Sequence, residues 1–137
     1  MAKPLAFLRR MRLVRGRDFE RTYREGRRAR GSIVVLVMRP NELEHSRLGL
    51  SIGRSVWKSA VKRNRVRRIF REAFRLSYPD LPRGMDLVMI AARPRLEPEL
   101  QATRAELVKL AQRIASSPAR EAPPAPAPPV APTAESS

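Results

Sequence analysis

Cysteine is absent from the 137-residue chain. A disulfide framework, a thiol nucleophile and a cysteine-ligated zinc site are therefore excluded. Histidine occurs once, as His45, in a polar stretch that reads as an ordinary loop. The aspartates Asp18, Asp80 and Asp86 are scattered and show no metal-ligand spacing. With no paired carboxylates and no activated nucleophile in view, the chain lacks the constellation a protein nuclease needs for general acid–base or metal-assisted hydrolysis. No apolar run approaches the roughly 18 residues of a membrane span. The first residues mix Leu5, Phe7 and Leu8 with Lys3, Arg9 and Arg10 and lack the continuous apolar centre of a secretion signal. The expected compartment is the cytoplasm, with neither a membrane partner nor a small-molecule substrate.

Acidic residues are also scarce, 13 Asp and Glu against 29 Lys and Arg, for a net charge of +16. Such an imbalance speaks to partners and not to fold. Arginine far outnumbers lysine, and its planar fork binds phosphate bidentately and stacks on bases. Nucleic acid is thus favoured over an anionic membrane surface. Hydrophobic residues make up 42% of the chain, enough for one core in a single domain.

The charge is concentrated in residues 62–75. Val66, Ile69, Phe70, Ala73 and Phe74 recur at the spacing of a core-facing helical stripe. Asn64, Arg65, Arg67, Arg68, Arg71 and Arg75 fall on the opposite side or its flanks. Like charges at i, i+4, such as Arg67 with Arg71, destabilise a helix by a few tenths of a kcal/mol each. Such a face makes physical sense with a polyanion against it.

Around this helix, predicted over residues 59–76 with Ser59 as its N-cap, the chain reads as follows. Residues 1–12 form a basic arm, with Leu13 and Val14 docking on the core. Residues 16–26 form a short helix, with Asp18 in its first turn and Gly26 at its end. Its Phe19 and Tyr23 share a face and, taken alone, read as core, with a base-stacking platform as the sharper alternative. Residues 27–31 form a basic turn or edge strand. Residues 33–38 are continuously apolar, as in a strand covered on both faces. Residues 47–52 alternate: Leu48, Leu50 and Ile52 face one way, while Arg47, Gly49 and Ser51 form a small polar face open to a ligand. Residues 53–59 form a loop carrying Arg54 and Trp57. Residues 86–91 form a further buried strand, and residues 99–114 an amphipathic helix. Residues 117–137 hold seven of the 13 prolines and read as a disordered Pro/Ala-rich tail. The domain proper is thus residues 13–116, of α+β class with helices packed on one sheet.

Arg47-Leu48-Gly49-Leu50-Ser51-Ile52 followed by Arg54, and then Lys62-Arg63-Asn64-Arg65-Val66-Arg67-Arg68, carry a resemblance to the bacterial ribonuclease P protein subunit. Asp18-Phe19 with Tyr23 and Gly26, and residues 86–93 ahead of Pro94, match its flanking blocks. The resemblance covers roughly residues 13–114. It implies a two-layer sandwich of αβββαβα order with a left-handed crossover. It also implies a place in the ribonucleoprotein endonuclease that removes the 5′ leader from precursor tRNA, where a catalytic RNA with bound Mg²⁺ performs hydrolysis. By position, Lys62, Arg63, Asn64, Arg65, Arg67, Arg68 and Arg71 correspond to the catalytic-RNA surface. Phe19, Tyr23, Ser51 and Arg54 correspond to the cleft for the single-stranded leader. On that footing Phe19 and Tyr23 are expected to be partly exposed and stacked on bases. Asn64 is expected to orient neighbouring arginines. The helix and charge taken alone also suit a ribosomal or other structural RNA-binding protein, a major-groove DNA binder or a membrane-surface helix, and an autonomous nuclease stays open.

Overall fold

The computed structural model describes residues 11–13 and 16–116. Most of the expected arm, Val14 and the whole of the expected tail at 117–137 lie outside the described residues. The elements run α1 (Gly16–Glu25), β1 (Arg27–Arg30), β2 (Val34–Pro40), β3 (Arg47–Ser51), α2 (Ala60–Ser77), β4 (Met85–Ala91) and α3 (Leu100–Ser116). The expected αβββαβα order is the observed one.

Each helix is bounded by local chemistry. In α1, Asp18 sits in the first turn, where a carboxylate offsets the helix dipole. The Gly26 N–H closes the other end on the Thr22 carbonyl at 2.8 Å. A Cβ at Gly26 would lie 2.9 Å from Val37 Cγ1, so only glycine lets the chain turn this close to the sheet. Helix α2 starts at Ser59, whose hydroxyl accepts the Lys62 N–H at 3.2 Å. It closes at Tyr78, ahead of Pro79. At the start of α3 the Glu99 carboxylate accepts the Ala102 N–H at 3.0 Å.

The four strands are ordered β1-β2-β4-β3. The β1/β2 and β2/β4 pairs are antiparallel, whereas β3 and β4 run parallel, so α2 forms the crossover between them. Register divides the sheet into two faces. On one face lie the rows Ala29–Leu36–Met89–Leu50 and Arg27–Met38–Leu87–Leu48. Their apolar members are buried against Val66, Phe70, Ala73 and Phe74 of α2 and Leu107, Leu110, Ala111 and Ile114 of α3. This is the sheet-on-helix sandwich that the periodicity predicts. On the opposite face, Leu13 with Phe19 and Tyr23 of α1 buries Val37 and Val88 in a second, smaller core. Strand β2 is therefore covered on both sides, as its uninterrupted apolar run requires.

One carboxylate fixes the β1–β2 turn from outside the sheet. Glu106 of α3 accepts the N–H groups of Ile33 and Val34 at 2.7 and 2.8 Å. It also accepts the N–H and hydroxyl of Ser32, both at 3.2 Å. Replacing Glu106 with alanine leaves these donors to water and is expected to destabilise the fold by about 1–3 kcal/mol. A urea titration followed by circular dichroism measures this, and an unchanged midpoint would show that the clamp is idle.

Candidate nucleic-acid interface

The first candidate surface is the outward side of α2. Asn64, Arg65 and Arg68 are exposed, while Lys62, Arg63, Arg67 and Arg71 are half-buried. Several of the latter are held by neighbours. Arg63 Nη1 donates to the Trp57 and Lys58 carbonyls, both at 3.0 Å, folding the preceding loop onto the helix. Lys62 places its ammonium 4.6 Å from the centre of the Trp57 ring and 3.8 Å from the Glu97 carboxylate. Trp57 in turn donates its indole N–H to the Leu96 carbonyl at 2.8 Å. Arg67 donates to Asn64 Oδ1 at 2.7 Å and to the Ile52 carbonyl at 3.2 Å. Asn64 thus orients a neighbouring arginine, as its place in the motif suggests. Arg71 lies among cations: its guanidinium is pushed below its ordinary value first by burial, then by Arg12, Arg67 and Arg68. Each neighbouring charge that acts on Arg71 is thus of its own sign.

The second candidate surface is the α1 side of the sheet. Three rows cross it: Arg39–Asp86–Arg47 at one end, Arg28–Val37–Val88–Gly49 in the middle and Arg30–Val35–Ile90–Ser51 at the other. The first row is an ionic anchor. Asp86 is 0% exposed. It accepts Nε and Nη2 of Arg47 at 2.8 and 2.7 Å, Arg39 Nη1 at 3.3 Å and Asn41 Nδ2 at 2.9 Å. Arg47 reaches on to Asp18 at 3.7 Å and Arg39 to Glu25 at 3.4 Å, so both ends of α1 are tied to one buried carboxylate. The Asp86 hydrogen bonds also hold the Arg47 guanidinium above its ordinary value.

The middle row lies beneath Phe19. A Cβ at Gly49 would stand 2.5 Å from the Phe19 ring, and Leu13 closes the remaining side. The expectation that Phe19 is partly exposed and stacks on bases is therefore corrected: the ring is 0% exposed and is core. Equally, the face of β3 read as open at Gly49 is roofed by that ring. The expectation of partial exposure is corrected for Tyr23 as well: it is buried, at 8% exposure, with its hydroxyl lacking a well-formed hydrogen bond beside Ser51 and within electrostatic reach of Arg28. Burial pushes this phenol above its ordinary value of 10.0, so it stays protonated and able to donate. Ser51, 6% exposed, sits in the third row. Arg54 is exposed on the turn that follows β3. The structure therefore gathers Phe19, Tyr23 and Ser51 under and beside α1 and leaves Arg54 at the strand's end.

Sequence reasoning missed the Asp86 anchor and the approach of Arg12 and Arg28 to the two surfaces. A usable signal existed for the first: a carboxylate opening an otherwise apolar, buried strand demands a cationic partner. Among the described residues no group of three or more His, Asp or Glu is placed to hold a metal ion. None of the described helices is long and apolar enough to cross a membrane.

These features define a small, basic α+β protein with two arginine-rich faces separated by one sheet. The ribonuclease P family profile matches residues 7–115. The ribonuclease P protein component of Photorhabdus laumondii is 38% identical over 109 residues, covering 80% of this chain and 91% of that protein. The structure of the RNase P protein from Thermotoga maritima superposes with a TM-score of 0.67 at 32% identity, covering 75% of this chain and 96% of its own. That of Staphylococcus aureus gives 0.65 at 27% identity, covering 77% and 94%. The chain belongs to the ribonuclease P protein family. Membership carries a role in tRNA 5′ processing within a ribonucleoprotein endoribonuclease, and so an RNA partner. It decides against the ribosomal reading.

Because Phe19 fills the space that Gly49 leaves, Phe19→Ala is expected to cost about 3–5 kcal/mol of stability. Reversible unfolding of the isolated chain measures this. A loss below about 1 kcal/mol, with full stability retained, would place the ring outside the core.

Proposed function

We propose that the chain binds the catalytic RNA of ribonuclease P through the outward side of α2 and the single-stranded 5′ leader of precursor tRNA through the α1 side of the sheet. The observation that carries this reading is the exposed Asn64–Arg65–Arg68 surface beside Arg71, a guanidinium on which Arg12, Arg67 and Arg68 all act as like charges. Only a polyanion relieves that arrangement, and arginine forks suit the phosphates of a folded RNA. On the other side, the leader set is Tyr23, Ser51 and Arg54, with Phe19 acting beneath them as the wedge that sets the height of α1.

The chain's contribution to the reaction is binding and positioning. Its arginines neutralise phosphates so that catalytic RNA and substrate approach each other. The carboxylates on the α1 side do not suit Mg²⁺: Asp86 is saturated by Arg39, Asn41 and Arg47, and Asp18 and Glu25 face guanidinium groups. The ion belongs with the RNA subunit, which performs hydrolysis. The working compartment is the cytoplasm, where precursor tRNA is made.

Changing Arg65 and Arg68 together to alanine is expected to weaken assembly with the catalytic RNA by about tenfold or more at moderate salt. The log–log salt slope should flatten by roughly 0.7–0.9 per lost phosphate contact. Filter binding across a salt series reads both quantities, and unchanged affinity and slope would reject this surface. For the leader side, Tyr23→Phe removes only a hydroxyl. It should leave assembly intact and lower the holoenzyme's preference for precursor over mature tRNA by a few-fold. An equal change for both substrates would assign that hydroxyl to stability alone.

A further inference from the structure

On the α1 side of the sheet, not every arginine meets an acidic residue among those described. Arg39 meets Asp86 and Glu25, and Arg47 meets Asp86 and Asp18. Arg28 projects from β1 on this same face, in register with Val37. It is half-buried, and no carboxylate or hydrogen-bond acceptor among the described residues meets its guanidinium. The buried Tyr23 hydroxyl acts on its charge from α1, and the Ser51 hydroxyl approaches the same phenol from β3. The Tyr23 phenol of α1 thus stands between the Arg28 guanidinium of β1 and the Ser51 hydroxyl of β3, which lie on opposite edge strands of the sheet. A half-buried cation that no described carboxylate meets, on the same face as a buried phenol able to donate, suits a phosphodiester oxygen, which accepts several charge-assisted bonds at once.

The surroundings extend the site in one direction. β1 is an edge of the sheet, so the space beyond Arg28 opens to solvent. Arg30 follows on the same face, exposed, with Nη2 anchored on the Ala92 carbonyl at 3.0 Å. Its row continues through Val35 and the half-buried Ile90 to Ser51, an apolar floor with a polar group at each end. Four strands at about 4.8 Å spacing make that floor about 14 Å wide. A single strand laid across it places bases over Ile90 and phosphates toward the two ends.

We propose that Arg28 is a phosphate-binding residue for the single-stranded leader, and that the leader crosses the sheet from Ser51 on β3 to leave over Arg28 and Arg30 at the β1 edge. This rests on the reading of the α1 face as the leader cleft. It adds to that reading a direction and an exit, and with them a dependence on leader length.

The test uses the holoenzyme reconstituted from the full chain and the catalytic RNA, with mature tRNA and precursor tRNAs carrying leaders of about two and about eight nucleotides, too short and long enough to cross the floor. Equilibrium binding is measured for the natural chain, Arg28→Gln and Arg28→Lys, with assembly affinity determined on the same preparations. Arg28→Gln is expected to lose about fivefold in affinity for the long-leader substrate and nothing for the short-leader substrate or mature tRNA, and Arg28→Lys to recover most of the loss. Equal losses for all three substrates, or a long-leader affinity indifferent to Arg28, would overturn the proposal. Should Arg28→Gln also weaken assembly, Arg28→Lys decides: restored assembly with a restored long-leader advantage supports the contact, and restored assembly without that advantage refutes it. A natural holoenzyme that binds precursor and mature tRNA alike would remove the cleft reading itself. A leader preference that survives in Arg28→Gln would remove only this extension.

Discussion

Asp86 is the constraint on which the α1 side of the molecule depends. A carboxylate with 0% exposure is tolerated only when its lone pairs are filled, and here two arginines and an asparagine fill them. The partners come from the cross-strand neighbours of Asp86, Arg39 on β2 and Arg47 on β3, so the anchor also fixes the register of three strands. Having met Asp86, each arginine still reaches outward, to Glu25 and to Asp18. Helix α1 is short and strongly polar on its outer side, and only Phe19, Thr22 and Tyr23 are buried beneath it. Its seat therefore comes from a ring in the Gly49 gap and from two ion pairs that lead back to one buried acid. The height of Tyr23 above Ser51, and so the shape of any cleft there, is inherited from that seat.

The same logic explains how a chain with 13 acidic and 29 basic residues folds at all. Its carboxylates are placed where the fold needs them. Glu106 holds the β1–β2 turn, Glu99 caps α3, Glu72 meets Arg75, and Asp18, Glu25 and Asp86 form the anchor. The arginines left over are concentrated on α2 and at the β1 edge. Within α2 they differ in task. Arg63 and Arg67 bind carbonyls of the preceding loop and of the β3 end, and so shape the surface. Arg65 and Arg68 stand in solvent as its exposed charge. The basic side of α2 is thus a scaffold of tied arginines carrying exposed ones.

Much of this was legible from residues alone. Helical spacing of Val66, Phe70, Ala73 and Phe74 gives the buried side of α2, Ser59 its start, and the apolar runs the two central strands. The faces of β3 show where such reading stops. Alternation separates Leu48 and Leu50 from Gly49 and Ser51 but does not say what covers the second set. A glycine in a strand signals close approach, and the approaching group is a phenyl ring of this chain, a long-range contact that no local pattern encodes. For the same reason Phe19 and Tyr23, equivalent by spacing, part company. One lies over a glycine and sinks to 0% exposure, while the other ends in a hydroxyl that stops beside Ser51 and Arg28.

Strand β3 joins the two surfaces. Ser51 faces α1 and the proposed leader path, while the next residue, Ile52, packs in the main core and gives its carbonyl to Arg67 of α2. Along its outer edge β3 meets the Arg12 segment, where Leu13 N–H bonds the Leu48 carbonyl at 2.9 Å and Arg12 brings its charge toward Arg71. The outward side of α2 is therefore linked to the backbone that carries Ser51 by the hydrogen bond from Arg67 to the Ile52 carbonyl. Because the strand is also locked to β4 and, through Arg47, to Asp86, it cannot shift without disturbing the seat of α1. Rigidity here has a consequence for binding. Groups on opposite sides of one fixed strand keep a constant separation, and on the proposed reading a binding subunit contributes to a rate by holding its partners in a constant geometry.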